Sequence, residues 1–238
     1  MTPVTKAAFE SIRQLDTCVV SNAVERFNVR LRNEGFVSGA VRSRFPLLPP
    51  MLGYAVTAHV RTSSAPVKGC CYYDRMDFWT YVASMPAPRV LVLQDADLSP
   101  GFGALVGEIH ATIAQALQCA GCVTDGAVRD LEALEALRFP VFSRRVSVSH
   151  AYAHIVDFGN PVEIGRLTFN PGDLVQGDRN GVHIIPREIA EEVPAMVGRI
   201  RAQENELTRF CRSGEFSLQE LGDMIKQVSK DGMPPHMK

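Results

Sequence analysis

The sequence predicts a single-domain α/β fold with a central mixed sheet. Two observations support this prediction: β-prone runs alternate with helix-like runs along the chain, and a block rich in β-prone residues follows over 161–186. The chain has 238 residues, of which 46% are hydrophobic, so it can bury a substantial core as one domain spanning 1–238. From residue 187 the pattern is helical, and we expect a helical C-terminal extension over about 187–238.

The first half of the chain predicts the elements that frame the sheet. Alternating apolar residues are typical of a half-buried strand, and a continuous apolar run is typical of a strand buried on both faces. The predicted elements are, in order, a helix over 18–27 capped by Thr17, an irregular segment over 30–50, a strand over 53–61, a helix from an Asp74 cap to Met85, and a strand over 89–94.

The central stretch over 101–131 predicts a glycine-rich loop, a helix, a strand, a turn and a second helix. The first helix begins near Gly107 and ends before Gly121, and the short strand over 122–124 precedes the turn pair Asp125-Gly126. The first helix is indicated by apolar residues that recur at helical spacing, at Leu105, Ile109, Ile113, Ala116 and Leu117. The second helix follows Arg129-Asp130 and is indicated by Leu131, Leu134 and Leu137.

The last third of the chain predicts short strands followed by helices. Proline and glycine pairs separate the strands, and proline also marks where a helix breaks or restarts. The predicted elements are two short strands over 141–148, several strands and turns over 161–186, a break or restart at Pro194, an amphipathic helix over 195–211 and a short helix capped by Ser217.

Composition and charge argue against several classes of protein. The formal net charge is −1 at pH 7, so the chain has no electrostatic footprint for a nucleic acid. No apolar run reaches the roughly 18 residues that a membrane span requires. Residues 1–12 lack the apolar core of a secretory signal, which predicts a cytoplasmic protein.

The residues around Gly107 form a candidate site. The start of a helix offers free backbone N–H groups and a positive dipole end, which together bind anions. Glu108 lies in that first turn, and the strand and turn that follow can return Arg129 and Asp130 to the same corner. This set would suit a metal-held substrate that carries a carboxylate. Alternatively, Arg129, Asp130 and Glu132 form an ordinary charged helix start in solvent, which spacing alone favours.

Cysteine and histidine patterns elsewhere favour structural roles. Cys119 and Cys122 form a C-x-x-C pair, but zinc would need a second ligand pair, and a redox dithiol belongs at a helix N-terminus. We therefore expect small, buried thiols. His59 is expected to be structural, and His150 and His154 lie in an extended segment where they would not share a ligand face.

Three aspartates fall in loops that follow strands. Asp95 and Asp97 come directly after a buried strand and could form a metal pair, but loop and turn chemistry is the favoured interpretation. Asp178 could face a site, and a turn-stabilising role is favoured for it too.

Three blocks of the chain carry a family resemblance. GEIHATIAQALQCAGCVTDGAVRDLEAL at 107–134, NPVEIGRLTFNPGDLVQGDRNGVHIIP at 160–186 and LDTCVVSNAVERFNV at 15–29 resemble the RraA-like family. That family contains class II 4-hydroxy-4-methyl-2-oxoglutarate / 4-carboxy-4-hydroxy-2-oxoadipate aldolases and also non-catalytic regulators of ribonuclease. The likeness covers roughly 15–212.

The resemblance implies an α/β/β/α sandwich of the swivelling phosphohistidine-domain type, assembled as a homotrimer or homohexamer with sites between subunits. It implies Asp130 as ligand to Mg²⁺ or Mn²⁺, and Arg129 and Glu108 as catalytic residues. Substrate binding would fall to Arg129 and to the four residues Gly107, Glu108, Ile109 and His110. His110 departs from the family, which usually has an aliphatic residue there; it could alter substrate choice or face solvent.

The implied activity is retro-aldol cleavage of a small 4-hydroxy-2-oxo acid to pyruvate, with oxaloacetate decarboxylation as a side activity. The acidic residue at position 108, ahead of the Arg-Asp pair, favours this branch over the alternative, a regulator that binds a ribonuclease or another protein. The general base is left open between a neighbouring subunit's Glu204 or Glu206 and a metal-bound water. The natural substrate is not specified by the sequence.

Overall fold

The computed structural model describes residues 4–67, 75–214 and 217–232. Its helices are α1 Lys6–Arg13, α2 Thr17–Phe27, α3 Arg75–Ser84, α4 Glu108–Ala116, α5 Leu131–Ala136, α6 Val193–Cys211 and α7 Leu218–Gly232, with a 3₁₀ turn at Arg187–Ile189. Its strands are β1 Arg42–Ser43, β2 Met51–Arg61, β3 Arg89–Asp95, β4 Ala104–Val106, β5 Cys119–Val128, β6 Val141–Val146, β7 His154–Phe158, β8 Val162–Ile164, β9 Leu167–Phe169, β10 Leu174–Asp178 and β11 Gly181–Ile185. None of the described helices is long and apolar enough to cross a membrane.

Nine of the described strands form one mixed sheet. The order is β1-β6-β5-β3-β2-β10-β11, with β4 paired to β5 and β7 paired to β2. The central pairs β2–β3, β3–β5 and β5–β6 are parallel, whereas β10 runs antiparallel to β2. Strands β8 and β9 form a separate antiparallel pair. The parallel centre places the carboxyl ends of β2, β3, β5 and β6 at one edge.

The sheet curls until its two halves face each other. Three strands separate β6 from β10 in the sheet order, yet a Cβ at Gly177 would lie 2.7 Å from the ring of Phe142. Only glycine therefore lets these strands approach so closely. The curl encloses one core cluster, whose larger members are Met51, Val90, Val92, Val123, Phe142, Val162, Ile164, Phe169, Val175 and Val182.

Two groups of helices cover the outside of the curled sheet. Alternate side chains of β3 show the division, because Val90 and Val92 point into the curl while Leu91 and Leu93 pack outward. Helices α3, α4 and α5 cover β3, β5 and β6, and helices α1, α2 and α6 cover β10 and the start of β2. This arrangement confirms the predicted α/β fold and the α/β/β/α layers that the resemblance implied.

The helix restart predicted at Pro194 is confirmed, because Pro194 lies in the first turn of α6, where a proline lacks an N–H that would be unpaired anyway. Three of the predicted local boundaries differ from the structure. Asp16 rather than Thr17 caps α2, with its carboxylate accepting a 3.0 Å hydrogen bond from the amide of Val19. The region 141–148 contributes one strand, β6, instead of two. Helix α4 ends at Ala116, so Gly121 lies within β5.

The Asp125-Gly126 pair lies inside β5 and does not form the predicted turn. The register of β5 against β6 shifts between Thr124 and Ala127, which is a bulge that absorbs the pair. The predicted Asp74 cap lies outside the described residues. The irregular segment over 30–50 is confirmed apart from β1 and a bridge between Phe36 and His183.

Candidate active site

Parallel pairing of β4 with β5 brings the two halves of the candidate site together. The amide of Arg129 donates a 3.0 Å hydrogen bond to the carbonyl of Val106. Gly107 follows β4 directly and Arg129 follows β5 directly, so the two strand ends deliver them to the same point. Helix α4 begins at Glu108 and α5 begins after Asp130, which places two helix starts side by side.

Gly107 is the point of closest approach between these segments. A Cβ on Gly107 would lie 2.5 Å from Oδ2 of Asp130 and 2.9 Å from Cγ of Arg129. Real Cβ contacts are not this short, so a larger residue here must displace the Asp130 carboxylate. Glycine at this position therefore allows Asp130 to reach the start of α4.

The Asp130 carboxylate binds the first amide of α4. Its Oδ2 accepts a 3.2 Å hydrogen bond from the Glu108 amide, and its Oδ1 accepts a 3.1 Å bond from Nε of Arg129. These two bonds, together with the nearby charge of His150, lower the pKa of Asp130. Because its pKa is lowered, the carboxylate is ionised at neutral pH. The side chain is 35% exposed, so some of its lone pairs face solvent.

The structure brings Glu108, Arg129 and Asp130 into one corner, as the spacing suggested. Glu108 and Ile109 are exposed in the first turn of α4, where the amides have no acceptor within the helix. The Glu108 amide is already bound by Asp130, which leaves the amides that follow it to meet a ligand. The charged groups thus meet beside the positive end of a helix dipole.

His110 is half-buried against a tryptophan. Its ring centroid lies 5.9 Å from that of Trp79 on α3, with the two rings tilted. The ring therefore packs against the helix layer and is not fully exposed to solvent.

Glu204 and Glu206 lie on the other helix layer. Both are exposed on α6, which packs with α1 and α2, whereas α4 and α5 belong to the opposite layer. Within one chain, these glutamates and the corner around Asp130 face different sides of the sandwich.

Sequence reasoning missed His150 as a neighbour of the candidate site. Its charge contributes to the lowered pKa of Asp130, and its Nδ1 lies 2.8 Å from the carbonyl of Ala104 at the start of β4. Helix α5, strand β6 and a loop separate His150 from Asp130 along the chain, and no periodicity in that segment indicates the contact.

A network of aspartates lies at the same edge of the sheet. Asp95 accepts hydrogen bonds from the amides of Gly101 and Asp97, and its own amide donates a 2.7 Å bond to Asp125. Burial, with a smaller contribution from the charge of Asp95, raises the pKa of Asp125 to about 6. The hydrogen bonds therefore support the predicted role of Asp95 and Asp97 in stabilising a loop.

The remaining polar candidates have structural partners. His59 pairs with Asp157 at 2.6 Å, and Asp178 binds the amide and hydroxyl of Thr17. Cys119 and Cys122 are free and buried, and burial raises the pKa of Cys119 to about 12. Neither thiol is thus available as a thiolate at neutral pH.

Comparison with known proteins identifies the class of protein to which this fold belongs. The sequence profile of the RraA-like family, described as Aldolase/RraA, matches residues 17–184, and the chain belongs to this family. A Halalkalibacterium halodurans protein named provisionally as a 4-hydroxy-4-methyl-2-oxoglutarate aldolase is 39% identical over 93 residues. That alignment covers 38% of this chain and 43% of the relative, and the chain spans less than half the length of the curated relatives it matches.

Solved structures share the fold at low sequence identity. An uncharacterised protein from Pseudomonas syringae superposes with a TM-score of 0.71 at 22% identity, covering 92% of this chain and 94% of the other. Streptomyces coelicolor RraAS2, described as an unusual member of the RNase ES inhibitor RraA family, gives a TM-score of 0.67 at 20% identity, covering 88% and 98%. These likenesses concern the fold alone.

Proposed function

We propose that this protein is a divalent-metal-dependent lyase that cleaves a 4-hydroxy-2-oxo acid, such as 4-hydroxy-4-methyl-2-oxoglutarate, to pyruvate by retro-aldol chemistry. The observation that carries the proposal is an ionised, solvent-facing Asp130 carboxylate beside Arg129 at the start of α4. Membership of the RraA-like family and the similarity to the Halalkalibacterium halodurans protein support this reaction class.

The Asp130 carboxylate fits a hydrated Mg²⁺ or Mn²⁺. No group of three or more metal-ligating side chains occurs in the described part of the chain, so such an ion would take its other ligands from water and substrate. Mg²⁺ is commonly held in this way, by one or two carboxylates. When bound, the metal would supply Lewis-acid polarisation of the substrate's 2-oxo group. Glu108, exposed beside Asp130, would orient water around it.

The side chains and amides of the corner act on the rest of the substrate. A base removes the proton of the 4-hydroxyl, the bond between C3 and C4 breaks, and its electron pair enters the enolate of pyruvate. Arg129 stabilises the negative charge that develops on that enolate. The first-turn amides of α4 orient the substrate carboxylate. Protonation at C3 completes pyruvate, and the other fragment leaves as a carbonyl compound.

The base comes either from Glu204 or Glu206 of a neighbouring subunit or from water. The opposite placement of α6 and α4 in one chain favours a homotrimer or homohexamer in which α6 of one subunit approaches the corner of the next. Oxaloacetate would yield the same enolate by losing carbon dioxide, so decarboxylation of oxaloacetate is part of the proposal.

Pyruvate release from 4-hydroxy-4-methyl-2-oxoglutarate, measured with and without Mg²⁺ or Mn²⁺, tests the proposal. Asp130→Asn keeps the size of the side chain and removes its charge, and we expect it to lower kcat/KM at least ~100-fold. Glu132→Gln removes a nearby exposed carboxylate on α5 and should retain activity. Activity that survives complete metal removal, or the asparagine variant, would contradict the assignment. Absence of pyruvate from a panel of 2-oxo acids would favour a protein-binding role.

A further inference from the structure

A cavity of about 500 Å³ lies at the carboxyl edge of the sheet. Arg61, at the end of β2, and Arg145, on β6, line it together with Ser63, Ser64 and Ser99. Leu98 and Phe102 form an apolar wall. The volume falls within the range of small-molecule sites. None of the lining residues belongs to the Gly107–Asp130 corner.

One aspartate fixes the two loops that form this cavity. The Asp97 carboxylate accepts four hydrogen bonds of 2.7–3.0 Å, two from the amide and hydroxyl of Thr62 and two from those of Ser63. Buried Asp95 holds the same loop through the amides of Asp97 and Gly101. The cavity is therefore formed by a hydrogen-bonded scaffold before any ligand arrives, which lowers the ordering cost of binding.

Among the described residues, the two positive charges of the cavity, Arg61 and Arg145, have no ion-pair partner. The stem of Arg145 lies across Gly101, where an added Cβ would come within 2.8 Å of its Cδ, so the glycine makes room for it. The one carboxylate in the lining, Asp97, is bound by Thr62 and Ser63.

We propose that this cavity binds a small di- or tricarboxylate. Two guanidinium groups, one from β2 and one from β6, suit two carboxylates, because each can pair bidentately with one of them. The hydroxyls of Ser64 and Ser99 can donate to the remaining oxygens, and Leu98 with Phe102 can cover the carbon chain. Ser147 links the cavity to the candidate active site, since its hydroxyl donates to the carbonyl of Phe102 and its amide donates to that of Val128, just before Arg129.

Isothermal titration of the metal-free full-length protein with tricarballylate, a tricarboxylate without a 2-oxo group, tests this proposal. We expect Arg61→Ala and Arg145→Ala each to weaken binding about tenfold or more, and acetate to bind at least about tenfold more weakly than tricarballylate. Arg144→Ala is the matched control, because it removes the same charge from the adjacent, exposed residue of β6 that does not line the cavity.

Three results would overturn the proposal: no binding at about 10 mM ligand, equal weakening by Arg144→Ala, or equal binding of inorganic phosphate. Melting curves establish that each variant is folded. Asp130→Asn should bind tricarballylate normally, so failure of the proposed lyase activity and failure of this site are distinguishable.

Discussion

Gly107 and the Asp130 carboxylate lie so close together that a Cβ atom on residue 107 would not fit between them. The Asp130 carboxylate reaches the first amide of α4 only because Gly107 has no side chain. In the proposed lyase, the same carboxylate holds the metal. The metal could not take this position if residue 107 carried a methyl group, because that group would displace the carboxylate.

Gly107→Ala is expected to lower kcat/KM at least ~10-fold while changing the melting temperature little. The new methyl group must push aside the Asp130 and Arg129 side chains, which are partly exposed and free to move. Steady-state kinetics with pyruvate detection, alongside thermal melting, measures both effects.

Gly198→Ala is the matched control for this substitution. Gly198 lies within α6, where an added Cβ meets nothing within 4 Å, so alanine should leave activity unchanged and stabilise the helix slightly. Full activity in Gly107→Ala would show that the carboxylate need not occupy its observed position.

At the scale of elements, β5 runs for ten residues through a dipeptide that is typical of a turn. Local preference at Asp125-Gly126 is outweighed by the strands on either side, which supply backbone partners before and after the bulge. The bulge turns the Asp125 carboxylate toward the amide of Asp95 at 2.7 Å. This arrangement is unfavourable for the charged form of Asp125, because its carboxylate is half-buried beside the carboxylate of Asp95.

Asp125→Asn is expected to stabilise the protein at pH 8 and to lose about half of this benefit as the pH falls to 5. Burial raises the pKa of Asp125 to about 6, so the folded state binds its proton more tightly than the unfolded chain does. Above pH 6 the folded state holds an unfavourable charge, and that cost disappears as the carboxyl is protonated on the way to the unfolded value of about 3.9. The full cost, reached well above pH 6, is about 3 kcal/mol.

Thermal melting across this pH range is the measurement, with an expected rise in Tm of roughly 6–12 °C at pH 8. Glu132→Gln, which removes a carboxylate that is exposed to solvent, should show little change at either pH. An equal shift for Asp125→Asn at pH 5 and pH 8 would contradict the sign argued here.

The elements that sequence reasoning located are those with clear periodicity. The apolar runs of β2 and β3 and the repeat near α4 located these three elements. The repeat did not mark the buried face of α4, because Ala111 and Ala114 are buried there whereas Ile109 is 69% exposed. The turn predicted at Asp125-Gly126 is wrong, and the contact of His150 with the corner was not predicted. Both features depend on partners that are far away in the chain. The spacing of Glu108, Arg129 and Asp130 allowed them to converge, but spacing alone favoured a solvated helix start, and the family resemblance selected them as site residues.

At the scale of the whole molecule, the curled sheet separates the two helix layers. The corner around Asp130 opens on one side, and the exposed Glu204 and Glu206 lie on the other. A site that uses both must be shared between two copies of the chain, which is a testable property of the proposed oligomer.

Co-expression of two inactive variants is expected to restore activity. Asp130→Asn and the double variant Glu204→Gln/Glu206→Gln should each be inactive alone. Random assembly of equal amounts leaves about one quarter of the shared sites with both wild-type contributions. Removal of the unmixed oligomers raises this share to about one third for a trimer, and activity should recover to between these two levels. Differently tagged chains, purified over both tags, provide the mixed oligomer for the pyruvate assay.

Co-expression of Asp130→Asn with Arg129→Ala is the control, because both lesions fall in the corner of one subunit and every site remains damaged. Full activity of the glutamate double variant alone would assign the base to water. Light scattering of the wild-type protein measures whether it is a trimer or a hexamer.

The backbone of Asp130 has a φ of 56°, in the left-handed region that aspartate and asparagine tolerate better than other side chains except glycine. Exchanging a single oxygen for an amide nitrogen would thus remove the negative charge while leaving chain conformation, strand pairing and both helix starts in place. Under the proposed function, one substitution would therefore abolish the lyase activity and keep the fold, and the unchanged surface would remain available for binding another protein.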